Sequence, residues 1–70
     1  MGGTAGSIVN GANERAVELF LDGKIGFNDI GMGVMHALFK IPVTAADTVD
    51  KVLKADEAAR RYIDESFVMC

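Results

Sequence analysis

The sequence predicts an all-α fold, a small bundle-like domain of three to four helices, on three observations. Apolar residues recur at steps of three and four along most of the chain. No stretch sustains the alternation of period two that a half-buried strand requires. Turn residues, Asp22-Gly23 and Pro42, fall between the periodic runs. Seventy residues leave room for one domain, and a chain near this size buries only about 60 % of its unfolded surface. Half of the residues are hydrophobic, with one Pro and one Cys, a composition suited to a packed globule rather than a disordered or disulfide-rich chain.

Residues 1–6 read as a flexible lead-in to a single helical domain over 7–67, and 68–70 as a frayed tail. The first helix is expected over about 7–22. Val9, Ala12, Ala16 and Phe20 form its apolar stripe, flanked by Val17, Leu19 and Leu21. Ser7 or Thr4 supplies a hydroxyl to cap the first turn, and Gly23 follows the last turn, where a left-handed residue is needed.

A second helix is expected over 28–41. Asn28 is its expected cap, and Phe27 and Met32 stand at the spacing of a hydrophobic staple. Asp29 favours the positive end of the helix dipole. Ile30, Val34, Leu38 and Ile41 form the apolar stripe, widened by Met35 and Phe39, and Asp29, Gly33, His36 and Lys40 line the opposite face. Pro42 ends the helix, because the residue before Pro is driven out of the helical region.

In the last third Val49, Val52, Leu53, Ala59, Ile63 and Phe67 make a seam into which Asp56 also falls. An ionised carboxylate in an apolar seam is costly. The expectation is therefore a break, with helices over 47–54 and 57–67 and Asp56 capping the second. The alternative is one continuous helix in which Asp56 lies near the end of its partner and stays wet.

The net charge is −3 with both signs interspersed, so the basic footprint of a nucleic-acid binder is missing. The first twenty residues do not read as a signal peptide. The apolar segment from Gly31 to Val43 contains His36 and Lys40 and falls short of the roughly 20 residues of a membrane span. A soluble, cytoplasmic chain is the expectation.

Chemistry-bearing residues are sparse. His36 has no second His or Cys within a turn to co-ligate a metal, and it reads as a surface residue. Cys70 has no partner for an internal disulfide. The acids Asp47, Asp50, Glu57, Asp64 and Glu65 are scattered without His or Cys, and Arg60-Arg61 is expected to pair with Glu57 or Asp64 one turn away. No catalytic, cofactor-binding or metal-binding residue is assigned. Asn10, Asn13 and Glu14 share one helix face. Asn is a mediocre helix former, so this face reads either as a domain-docking surface or as a plain solvated one.

The run Gly2-Gly3-Thr4-Ala5, Val9-Asn10-Gly11-Ala12-Asn13-Glu14, Ala16-Val17-Glu18, Phe20-Leu21-Asp22-Gly23-Lys24-Ile25-Gly26-Phe27 and Asp29-Ile30 resembles the C-terminal helical domain of the 1-deoxy-D-xylulose 5-phosphate reductoisomerase family. Val49-Asp50-Lys51-Val52-Leu53-Lys54-Ala55-Asp56 with Ala59-Arg60 is similar to that family's closing helices. The resemblance implies a parent oxidoreductase and isomerase of the non-mevalonate isoprenoid pathway. That parent uses NADPH, held by an N-terminal domain, and a divalent metal, held by a central domain. None of those motifs is present here, so the resemblance transfers no catalytic residue, and it implies that Asn10, Asn13 and Glu14 pack against the rest of the enzyme. Gly6 and Gly31 stand where that family often has Pro, and Gly11 where it has Ala.

Two readings follow. The chain is a structural domain whose partner is the remainder of a reductoisomerase, or it is a free-standing helical module that associates with itself. The family also has a helix before the Gly-Gly pair that this sequence lacks. Its loss predicts an exposed apolar stripe on the first or second helix and a homo-oligomer for the isolated chain.

Overall fold

A computed structural model describes residues 3–67, and it contains three helices: α1 (Ala5–Leu21), α2 (Phe27–Lys40) and α3 (Val49–Phe67). No strand occurs among the described residues. The all-α expectation holds, with three helices rather than four.

α1 begins two residues earlier than expected, because its first turn is tied down from a distance. The Thr4 N–H donates to the Thr44 carbonyl at 2.8 Å, and the Thr44 N–H donates to Thr4 Oγ1 at 3.0 Å. Thr4 is thereby buried. It occupies the cap position without capping through its side chain, since its hydroxyl serves the loop after α2 instead. Residues 5 and 6 therefore belong to α1, and Ser7 lies inside the helix. Met1 and Gly2, like the expected tail over 68–70, lie outside the described residues.

The exit of α1 follows the expected chemistry. Gly23 has φ +76°, its N–H donates to the Phe20 carbonyl at 3.0 Å, and the Lys24 N–H donates to the Leu19 carbonyl at 2.9 Å. These are the two bonds of a Schellman closure, which satisfies carbonyls the helix itself cannot reach.

The buried stripe of α1 is rotated from the one the sequence suggests. Ile8, Gly11, Ala12, Ala16 and Leu19 are buried, while Val9 is half-buried and Phe20 and Leu21 are exposed. Two stripes one residue apart both satisfy a 3.6-residue period. α1 has both other helices as neighbours, and its small residues let their backbones come close. The shared core comprises Ile8, Ala12, Ala16, Leu19, Ala37, Ala55, Ala59 and Ile63.

α2 starts at Phe27 with Gly26 at the cap, not at Asn28. Asp29 makes the difference. Its carboxylate accepts the Gly26 N–H at 2.8 Å, the reciprocal half of a capping box, and this fixes the first turn one residue upstream. The staple spacing then falls on Ile25 and Ile30, both half-buried against the core, rather than on Phe27 and Met32. Gly33, expected on the polar face, is buried. A methyl group there would stand 2.9 Å from Ile63 Cδ1 and 3.0 Å from Phe67 Cε2, so its missing side chain is what seats α3. The helix stops before Pro42 as expected, with Ile41 extended at φ −95°, ψ 124°.

α3 runs unbroken from Val49 to Phe67, which corrects the expected interruption at Asp56. The carboxylate is half-buried but not isolated. Arg60, one turn on, donates through Nε to Asp56 Oδ2 at 2.9 Å, and α1 presents Gly11 at this point. A methyl group on Gly11 would lie 2.6 Å from Asp56 Oδ1 and 2.7 Å from its carbonyl oxygen. The acid thus faces a backbone rather than an apolar side chain, and a straight helix carries it without a break. Thr48 supplies the cap, its Oγ1 accepting the Lys51 N–H at 3.2 Å.

Candidate domain-docking surface

Asn10, Asn13 and Glu14 lie on the exposed side of α1, as their spacing requires. Asn10 Nδ2 donates to Glu14 Oε1 at 3.5 Å. The second partner of Glu14 comes from another helix: Arg60 Nη2 donates to Glu14 Oε1 at 2.9 Å. Arg60 therefore spans α1 and α3, holding Glu14 with one nitrogen and Asp56 with another. The hydrogen bond to Asp56, together with the nearby charges and that to Glu14, keeps the Arg60 guanidinium above its ordinary value despite partial burial. It acts as a fixed cation.

Beside this cluster is a shallow depression of about 360 Å³ lined by Asn13, Glu14, Val17, Glu18 and Arg60. Its walls combine an amide, two carboxylates and a guanidinium around one apolar side chain. That chemistry suits hydrogen bonding to a polypeptide backbone or its polar side chains. Asn13 is exposed, and the hydrogen bonds within the cluster join Asn10, Glu14 and Arg60.

A parallel tie lies farther along the same seam. Arg15 Nε donates to Asp64 Oδ1 at 2.6 Å, and Nη1 reaches Glu18 Oε1 at 3.5 Å. The Asp64 hydrogen bond is the main reason that Arg15 also stays above its ordinary value. Sequence spacing gave no sign of this pair, because its members are 49 residues apart. Arg61 behaves as expected, with Nη2 on Glu57 Oε1 at 3.2 Å, but Arg60 takes Asp56 and Glu14 rather than Glu57 or Asp64.

His36 is exposed. Cys70 lies outside the described residues. Among the described residues no group of three or more His, Cys, Asp or Glu side chains is placed to hold a metal ion. The donor set does not fit a divalent metal: Glu14, Glu18, Asp47, Asp50, Asp56, Glu57 and Asp64 are each committed to a Lys or Arg. No described helix is long and apolar enough to cross a membrane.

Comparison with known proteins matches residues 1–62 to the DXP reductoisomerase C-terminal domain. The 1-deoxy-D-xylulose 5-phosphate reductoisomerase of Cupriavidus metallidurans is 52% identical over 60 residues, covering 86% of this chain and 15% of the relative. The enzyme of the same name from Xanthomonas oryzae is 48% identical over 65 residues, covering 93% and 16%. That of Methylococcus capsulatus is 41% identical over 68 residues, covering 91% and 17%. No solved structure gives a significant match. The chain spans about a sixth of the length of the curated relatives it matches. With a matching domain model over most of its length and relatives of this identity, the chain belongs to the DXP reductoisomerase C-terminal domain family.

Proposed function

We propose that the chain serves as the structural C-terminal domain of a 1-deoxy-D-xylulose 5-phosphate reductoisomerase, acting in the cytoplasm without chemistry of its own. The observation that carries this reading is the collinear match of residues 1–62 to that domain. The partner is the remainder of the reductoisomerase chain, which would supply the NADPH site and the divalent metal. Asn10, Asn13 and Glu14, backed by Arg60, form the face that docks on it. A polar patch whose charges are already paired within the domain can be covered by another domain at little desolvation cost.

The test is a chimera in which this chain replaces the matching segment of the Cupriavidus metallidurans enzyme. Turnover of 1-deoxy-D-xylulose 5-phosphate is expected to stay within about tenfold of the parent, which is less than about 1.4 kcal/mol of barrier, while the parent without the segment loses it. A folded but inactive chimera, or a fully active truncation, overturns the reading. In the chimera, Asn13→Ala is expected to lower stability or activity by about 1 kcal/mol through the lost interdomain hydrogen bond. Unchanged values for both remove the docking role.

A second reading, a module that associates with itself when separate from any larger chain, is favoured by one observation. Of the large apolar residues left exposed, Phe27, Met32, Met35 and Phe39 lie on α2, the others being Phe20, Leu21, Val43, Val49 and Leu53.

A further inference from the structure

We infer that the depression beside Asn13 receives an arginine side chain from the remainder of the reductoisomerase chain, its guanidinium lying between the Glu14 and Glu18 carboxylates. This rests on the docking reading above and names the chemistry of the group that docks. The depression, about 360 Å³, is lined by Asn13, Glu14, Val17, Glu18 and Arg60. Asn13, Glu14 and Glu18 are all exposed, so a group from another domain reaches them without rearrangement of this one.

The sign of the partner's charge follows from how the ion pairs share their members. Arg60 holds Asp56 through Nε and Glu14 through Nη2, both at 2.9 Å. Arg15 holds Asp64 at 2.6 Å and Glu18 at 3.5 Å. Every acid of this network has a partner, yet two guanidinium groups serve four carboxylates. Two of the chain's three excess negative charges therefore sit here. Elsewhere the sharing is one to one, Lys51 with Asp47, Lys54 with Asp50 and Arg61 with Glu57. Arg60 already has a carboxylate at each end of its guanidinium, so the depression does not suit an anion. Carboxylates at i and i+4 on a helix repel each other, and Glu14 and Glu18 stand at that spacing. A cation between them relieves the repulsion and adds bonds of its own.

Geometry selects arginine among the cations. The donors from within the chain reach the same oxygen of each acid, Asn10 and Arg60 on Glu14 Oε1 and Arg15 on Glu18 Oε1. The Oε2 atoms of the two carboxylates, one helical turn apart, take the incoming group. A guanidinium carries its donors in a planar fork that spans two carboxylates, whereas an ammonium is a compact point charge. The Asn13 amide oxygen accepts a further N–H at the same rim. Val17, half-buried in the lining, is the apolar floor on which the methylene stem of the arginine packs.

The test introduces Glu18→Gln and Glu18→Arg into the chimera described above. Glu18 is chosen because its partner Arg15 lies on the same helix, whereas Glu14 is tied to α3. The rate of heat inactivation at a fixed temperature is measured in about 50 mM and about 0.5 M salt, and the urea midpoint of the separate 70-residue chain serves as the control. In low salt the rate is expected to rise about threefold for Glu18→Gln and at least about tenfold for Glu18→Arg. High salt is expected to shrink both effects, and the midpoint of the separate Glu18→Gln chain to stay unchanged. Should Glu18→Arg unfold the separate chain through repulsion of Arg15, Glu18→Gln answers alone. An effect of Asn13→Ala with both Glu18 variants inert leaves the docking reading standing and overturns the arginine, and inertness of all three overturns both. Slower inactivation of Glu18→Arg, or a loss from Glu18→Gln that is as large in the separate chain, also overturns the arginine.

Discussion

Where α1 meets α3, the residues at closest approach are small: Gly11 lies against Asp56, and Ala12, Ala55 and Ala59 are buried in the common core. The outer side of α2 is the reverse, with Phe27, Met32, Met35 and Phe39 largely in solvent. Among the described residues, the largest fully buried side chains are Ile8, Leu19, Ile63 and Thr4. The domain thus holds itself together by bringing backbones close and lacing the seam with Arg15 and Arg60, and keeps much of its large apolar surface on the outside. Dispersion between closely packed small residues supports the first region. The second gains its stabilisation only when something covers it.

The largest test of that division compares Ile63→Ala with Phe39→Ala. Ile63 is fully buried and lies across from Gly33, so its truncation leaves a cavity and costs about 2–5 kcal/mol. A domain of this size has only about 3–5 kcal/mol to lose, so urea titration or circular dichroism should find Ile63→Ala mostly unfolded. Phe39→Ala, measured in dilute solution where the chain is monomeric, should change stability by no more than about 0.5 kcal/mol. Equal losses would mean that the outer face contributes to the fold of the single chain.

Next in size is a pair of glycine substitutions expected to have opposite signs. Gly11→Ala gains about 1 kcal/mol of helix propensity but forces a methyl group against the Asp56 carbonyl, a backbone atom that cannot swing aside. The net expectation is a loss of about 1 kcal/mol, overpacking being worth about 1–3 kcal/mol. Gly31→Ala meets nothing and should raise monomer stability by up to about 1 kcal/mol. A stabilised Gly11→Ala chain would show that α1 and α3 have slack between them.

These glycines also mark where the sequence stopped being legible. Both helix stops were read correctly from atoms within a few residues, although the equally local Gly26–Asp29 capping box, which starts α2, was placed two residues late. Gly23 ends α1 and Pro42 ends α2 because each acts on its own backbone. The all-α class was legible for the same reason. Most of what the sequence hid was long-range. Asp56 looked like a break because its seam reads as apolar, and only the placement of Gly11 and Arg60 around it removes the need for one. Thr4 looked like an ordinary cap, yet Thr44, 40 residues away, claims its hydroxyl. Gly33 reads as part of the polar face because a glycine carries no hydrophobic signal, although it is buried by what packs over it. For the docking surface, the shared face of Asn10, Asn13 and Glu14 was legible from spacing, but the Arg60 bridge that fixes Glu14 was not.

The smallest expected effect separates the two neighbouring arginines and so tests whether the seam is laced or merely touching. Arg61 pairs with Glu57 at i+4 along one helix, and both side chains are about two-thirds or more exposed. Such a pair is worth no more than about 0.5 kcal/mol. Arg60 is less exposed, at 36%, and joins two helices. Its removal also leaves the half-buried Asp56 carboxylate facing Gly11 without a cation. Arg60→Ala is therefore expected to cost about 1 kcal/mol, roughly twice Arg61→Ala. Repeating the urea titrations near 1 M salt, where the screening length is about 3 Å, should abolish most of the Arg61 effect and spare more of the Arg60 effect, because the shielded pair is screened less. Identical losses with identical salt dependence would place Arg60 among the ordinary surface ion pairs and leave close backbone packing as what holds α1 to α3.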